Sequence, residues 1–273
     1  MTAAAPDLDV RPVRSADRER VEEIAPSAPF DDWVGDPSAP FEVGEVDGIV
    51  VAIHRLRPVA AGVLVQEGLA VAPGADEVGA AMVRHALDQA RGLGFTEVRA
   101  GVTDEEPARL YEREGFRLIA RCRTHLGPRM EGVDLPRMGS GADAPGLAGL
   151  LRDEGPWLSG YGGLTAGDDG LRDVDQPLIQ RLAEEGRVRV GPGGRAFCLL
   201  EAGDDRLTAS FLIGEGAALT ELLQGLQFEA DGMDVDGARL LAPDVPAAAE
   251  LLDSVGYRVD DALPAQLAYG RRL

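Results

Sequence analysis

The chain contains no lysine. All 27 of its basic residues are arginine, they face 47 aspartates and glutamates, and the formal net charge is −20. Such an excess of carboxylate disfavours nucleic acid and anionic membranes as partners. Long apolar runs are missing too, and none approaches the roughly 20 residues that span a bilayer. The first residues, Met1-Thr2-Ala3-Ala4-Ala5-Pro6-Asp7, lack the basic and apolar regions of a signal peptide, so a cytoplasmic location is expected. Cysteine is scarce: Cys122 and Cys198 lie far apart without metal-ligand spacing and read as buried thiols in a reducing compartment. Of the three histidines, His54, His85 and His125, no constellation is expected, and His85 reads as solvated on a polar helix face with Asp88 and Gln89. No nucleophile elbow, metal spacing or dinucleotide fingerprint occurs.

The acidity itself has two readings. A carboxylate-rich surface repels itself over a Debye length of about 10 Å at 0.1 M salt but only about 3 Å at 1 M. It therefore reads as adaptation to a very salty cytoplasm, a halophilic trait. A GC-rich genome that favours Arg codons is the other reading, and both can hold. In either case the acidic surface is no evidence for a cationic substrate. The length of 273 residues suggests one large domain or two ordinary ones, and 45% hydrophobic residues suffice for a core.

Taken in order, Asp9 to Arg14 reads as a short strand, and Ser15-Ala16-Asp17 caps a helix over Arg18 to Ile24. Residues Ala25 to Pro40 read as loop, with a helical turn near Trp33. Phe41 to Gly44 and Ile49 to Arg55 form a hairpin across Val46-Asp47-Gly48. A strand over Val63 to Val71 ends at Pro73-Gly74, and a helix is read from about Gly79. In it Met82, Val83, Ala86, Leu87 and Ala90 recur at three- and four-residue spacing until Gly92 and Gly94. Val98, Ala100 and Val102 alternate as a strand. A short helix follows, ending in Gly115-Phe116, and then the strand Phe116 to Arg123. The polar, Gly- and Pro-rich stretch Arg129 to Gly146 is read as a domain boundary, giving domains 1–130 and 131–273.

A strand, a turn and a helix N-terminus make an anion site, because unpaired N–H groups and the helix dipole face the ligand. This order of elements, together with the run Ala108-Arg109-Leu110-Tyr111-Glu112-Arg113-Glu114-Gly115-Phe116, resembles the GNAT acyl-CoA N-acyltransferase family. The resemblance implies two α/β domains, each a mixed, mostly antiparallel sheet flanked by helices, with the cofactor entering where two central strands splay apart. It implies that the backbone of Leu69, Ala70 and Val71 holds the pantetheine of acetyl-CoA. It also implies that the amides of Val78, Gly79, Ala80 and Ala81 hold the pyrophosphate, and that Asp104 contacts the cofactor. Tyr111, four residues before Gly115, would give a proton to the leaving thiolate. Glu67 would take one from the incoming ammonium.

Each site residue also has a plain structural reading: Tyr111 as a core tyrosine, Asp104 as a helix N-cap, Glu67 as a solvated strand residue. Asp76 and Glu77 put two carboxylates in a cofactor loop about two residues shorter than the family's. At ~4 Å in water each costs ~1 kcal/mol against a phosphate charge.

The second half repeats the first. Val188-Arg189-Val190-Gly191, a Gly193-Gly194 turn and Ala196 to Leu200 follow the pattern of Phe41 to Gly44 and its hairpin partner. Ala249 to Arg258 aligns with Ala108 to Arg117 without a gap. Leu252 stands where Tyr111 does and Val245 where Asp104 does, so only the first half keeps the chemistry-bearing positions. Two functions remain open: acetyl transfer from acetyl-CoA to a primary amine on a small molecule or peptide, or a catalytically inactive pair that binds CoA or a partner. A homodimer is left open, and the acceptor cannot be read from the residues.

Overall fold

A computed structural model describes residues 8–26, 30, 34, 41–103, 105–132, 134–152, 160–161, 164–165, 172–202, 207–214 and 216–273. The expected turn at Trp33, Asp104, and parts of the expected loop 25–40 lie outside the described residues. In chain order the first elements are β1 (Asp9–Pro12), α1 (Arg18–Ile24), β2 (Phe41–Val46), β3 (Ile49–Ala60), β4 (Val63–Val71), α2 (Asp76–Gly92), β5 (Glu97–Val102), α3 (Glu105–Arg113) and β6 (Arg117–Gly127). Next come β7 (Arg137–Met138), α4 (Ala144–Leu150), β8 (Leu164–Thr165), β9 (Arg172–Asp173), α5 (Gln176–Glu184), β10 (Val188–Val190), β11 (Ala196–Leu200) and β12 (Leu207–Gly214). The last are α6 (Gly216–Gly232), β13 (Ala238–Pro243), α7 (Pro246–Ser254), β14 (Arg258–Val259) and β15 (Gln266–Arg272).

The chain divides into two compact units. One is Met1–Ile119 with Ala268–Leu273, the other Ala120–Leu267. Composition placed the division near residue 130, inside what the structure makes the second unit. The reason is long-range pairing: residues 122–127 of β6 pair antiparallel with β13, and the C-terminal strand β15 lies beside β5 in the first unit. Pairings that distant leave no mark on local composition.

In the first unit the strand order is β1-β2-β3-β4-β5-β15. The first four strands are antiparallel neighbours and β5 runs parallel to β4. Helix α2 forms because Val78, Met82, Val83, Ala86, Leu87 and Ala90 line one buried side, while Asp76 and Glu77 suit the positive end of the helix dipole. That buried side packs on Ala52, Leu69 and Val71. The opposite face of the sheet gathers Val21, Phe30, Phe41, Val43, Val50 and Ile53 around α1. Burying each such side chain contributes about 1.5–3 kcal/mol.

The second unit runs β6-β13-β12-β11-β10-β7, with β12 and β13 parallel and the other neighbours antiparallel. Its later helices answer those of the first unit: α6 has 17 residues like α2, and α7 has nine like α3. A match the sequence did not show is Arg11–Asp17 with Arg137–Asp143. In each pair the aspartate accepts two 2.8 Å hydrogen bonds from the arginine and a third from a backbone N–H three residues earlier.

Candidate active site

The first unit parts its two central strands. Val63 to Gln66 of β4 pair with Glu97 to Ala100 of β5, and there the pairing ends. Gly68 causes the break: its φ of +58° is a left-handed conformation that glycine adopts at little cost, and the β3–β4 register shifts beside it. Beyond it, Ala70 and Val71 still pair with β3 on one side. On the other, the edge of residues 67–71 keeps donors and acceptors for a ligand. Leu69, Ala70 and Val71 are all half-buried along this notch.

The expected site residues take up different places in the first unit. Glu67 begins the unpaired segment of β4, and Arg57 on β3 holds both its oxygens, one through Nε at 3.2 Å. Tyr111 is 1% exposed, with its ring edge-on to Phe116 at 5.1 Å between centroids. Burial pushes its phenol well above the ordinary value, so the group stays protonated. No hydrogen bond joins Tyr111 to Glu67 among the described residues.

The helix entrance differs from expectation. α2 opens at Asp76, three residues before Gly79. The amides of Val78 and Gly79 both donate to Ala75 O, at 2.8 and 3.3 Å, and those of Ala80 and Ala81 fall in the regular i→i−4 ladder. The first-turn donors left over belong to Asp76 and Glu77, both exposed and both bearing carboxylates. Gly79 answers to packing instead: a Cβ there would meet Leu110 Cδ2 at 3.1 Å and Val71 Cγ2 at 3.2 Å.

Residues 8–116 match the acetyltransferase (GNAT) family. No curated protein matches the chain by sequence. The fold extends over the whole chain. A GCN5-related N-acetyltransferase from Kribbella flavida is 16% identical with a TM-score of 0.61, over 100% of this chain and 73% of its own. Another from Sphaerobacter thermophilus is 15% identical with a TM-score of 0.62, over 98% and 97% of the two chains. A tandem GNAT protein from the clavulanic acid biosynthesis pathway gives 17% and 0.60, over 97% and 98%.

The first unit also holds a polar cluster that the sequence did not suggest. Glu42 on β2, His54 on β3 and His85 on α2 bring donor atoms within 4.8 Å of one another, so two of the three histidines do form a constellation. His54 Nε2 lies 3.0 Å from Glu42 Oε2, and His85 Nε2 lies 3.4 Å from it. Gln89 Nε2 reaches Glu42 Oε1 at 2.9 Å and His85 Nε2 at 2.8 Å, while Gln66 Nε2 reaches His54 Nδ1 at 2.7 Å. His54 is wholly buried, which lowers its pKa and keeps the ring neutral. Burial alone would raise Glu42, but hydrogen bonds with His54, His85 and Gln89 outweigh it and hold the carboxyl well below its usual range. His125 stands apart, with its Nδ1 3.1 Å from the Arg123 carbonyl oxygen.

In the second unit the corresponding notch is filled. β12 and β13 pair only over Leu207–Ala209 and Ala238–Leu240, beside a bulge at Ser210. Tyr161 packs on Phe211 at 4.9 Å between centroids and donates its hydroxyl to Leu241 O at 2.6 Å. Leu252, in the place of Tyr111, is a buried core residue.

Proposed function

We propose that the first unit transfers an acetyl group from acetyl-CoA to a primary amine. The observation that carries this reading is the notch between β4 and β5, opened by Gly68 inside the GNAT-family segment. The acyl-pantetheine arm lies along Leu69 to Val71 as an added strand would, hydrogen-bonded to the edge that β5 leaves. The amine nitrogen attacks the thioester carbonyl carbon, a C–N bond forms, and the C–S bond breaks. Tyr111 gives its phenolic proton to the departing thiolate, and the protonated amine loses a proton to Glu67, directly or through water. Arg57 fixes the Glu67 carboxylate, whose remaining lone pairs are the acceptors.

A second reading is a catalytically inactive module that binds CoA or a protein partner. The acidic helix entrance favours it, since Asp76 and Glu77 bear carboxylates beside the only first-turn amides that α2 leaves over. Calorimetry with acetyl-CoA in molar KCl separates the two, with turnover measured on a panel of primary amines. Binding with turnover is the expected result; binding without turnover selects the second reading, and folded protein with no binding heat removes the enzyme and leaves only a module that binds a protein partner. If the diphosphate sits at the helix entrance, Asp76→Asn with Glu77→Gln tightens acetyl-CoA at low salt by about fivefold per charge, from ~1 kcal/mol each. The gain vanishes in molar salt.

A further inference from the structure

The Glu42–His54–His85 cluster is built unlike a plain strand–helix tie. In the second unit the same location, between β10 and α6, holds a simple ion pair: Arg189 Nε and Nη2 donate to Glu229 at 2.6–2.9 Å, and Cys198 is the cross-strand partner of Arg189. One arginine and one glutamate therefore suffice to join second strand and long helix. The first unit instead converges two imidazoles and a carboxylate on one point.

We propose that Glu42, His54 and His85 bind one divalent transition-metal ion, zinc by preference, which pins α2 to the sheet of the first unit. Donors around a tetrahedral zinc with bonds of about 2.0–2.1 Å stand about 3.3 Å apart. Here the two histidine nitrogens stand 3.0 and 3.4 Å from Glu42 Oε2. Two imidazoles with a carboxylate suit zinc and its transition-metal neighbours; magnesium and calcium take oxygen ligands.

The surroundings fit the same ion. A metal-bound imidazole uses one nitrogen and gives the N–H on the other to a fixed acceptor. Gln66 stands at His54 Nδ1, and its fully buried Oε1 has no hydrogen-bond partner. Turned over, that amide accepts the Nδ1 proton, which His54 moves from Nε2 as the ion binds. Gln89 turned over presents its own Oε1 as fourth ligand, in the place where its nitrogen now meets Glu42 and His85. The His85 side chain is 30% exposed, which gives the ion a way in from solvent. Gln66 is also the last paired residue of β4 before the notch, so the pin braces the strand where the ligand edge begins.

The test is calorimetry of zinc sulfate into the chelator-stripped full chain with excess magnesium chloride present, alongside cobalt(II) chloride followed by visible absorption. One zinc per chain and the intense bands of four-coordinate cobalt are expected. His85→Gln keeps a hydrogen-bonding group on the half-exposed side and should weaken zinc more than about 100-fold, beyond the loss of an outer-shell partner. Glu42→Gln should do the same, both with unchanged circular dichroism. The proposal fails if no zinc binds, if magnesium displaces it, if His85→Gln binds it equally well, or if wild-type cobalt is weakly coloured and six-coordinate. Magnesium displacement or retention by His85→Gln would assign the ion to the acidic surface.

Discussion

Two copies of one fold treat the same parted strand pair in opposite ways. In the first unit the edge beyond Gln66 borders half-buried Leu69, Ala70 and Val71. In the second, Tyr161 occupies the matching place, with its ring on Phe211 and its hydroxyl on Leu241 O. The strands part in both because each contains a bulge, so the parting belongs to the fold. What distinguishes a candidate site from a core is the occupant. The same holds beneath the long helix, where one copy has an ion pair and the other two histidines and a glutamate.

The largest effect expected from breaking this contrast is on stability. Tyr161→Ala should cost about 3–5 kcal/mol in chemical denaturation, whereas Leu69→Ala in the first notch should cost less than about 2 kcal/mol. Equal losses would mean that both notches are packed alike. Next comes Tyr111→Phe, which should slow acetyl transfer by about 100-fold while acetyl-CoA affinity in calorimetry stays unchanged. Equal rates would remove the phenol from the mechanism and leave Tyr111 as much a core residue as Leu252.

Gly68→Ala forces a side chain into a left-handed conformation and should cost about 1–2 kcal/mol by thermal unfolding. Transfer should fall with it. The second-unit bulge residue, Ser210, has no positive φ, so Ser210→Ala should lose less. The smallest effect concerns acid. Asp17 and Asp143 are both held below the ordinary value of 3.8, each chiefly by its arginine. A carboxylate depressed in the folded state gives stability that is present above that value and lost as pH falls below it. Removing either charge should flatten the acid side of the stability curve. Asp17→Asn should do so more than Asp143→Asn, because the Asp17 side chain is 9% exposed and that of Asp143 24%.

Much of the first unit was legible because its signals are local. Periodicity marks α2 and β5, and the Gly115-Phe116 ending led to the family. The start of α2 was read late because Asp76 and Glu77 look like loop residues, yet a helix N-terminus favours them. Glu42 and His54 escaped notice for a subtler reason. A two-residue turn at Asp47-Gly48 by itself sets Glu42 opposite Ile53; the bulge between Gly44 and Glu45 shifts the register by one and brings His54 there. The sequence repeat was caught where runs align without gaps. It was missed at Arg11–Asp17 and Arg137–Asp143, where unlike residues intervene.

Strand β15 carries a consequence for how the molecule comes into being. The first unit takes residues 268–273 from beyond the entire second unit. Its central sheet therefore stays open at the β5 edge during synthesis until that tail leaves the ribosome. An exposed edge invites pairing with a neighbouring nascent chain. Ribosome stalling before residue 266 should accordingly leave a second unit complete in its strands beside a first unit prone to clump.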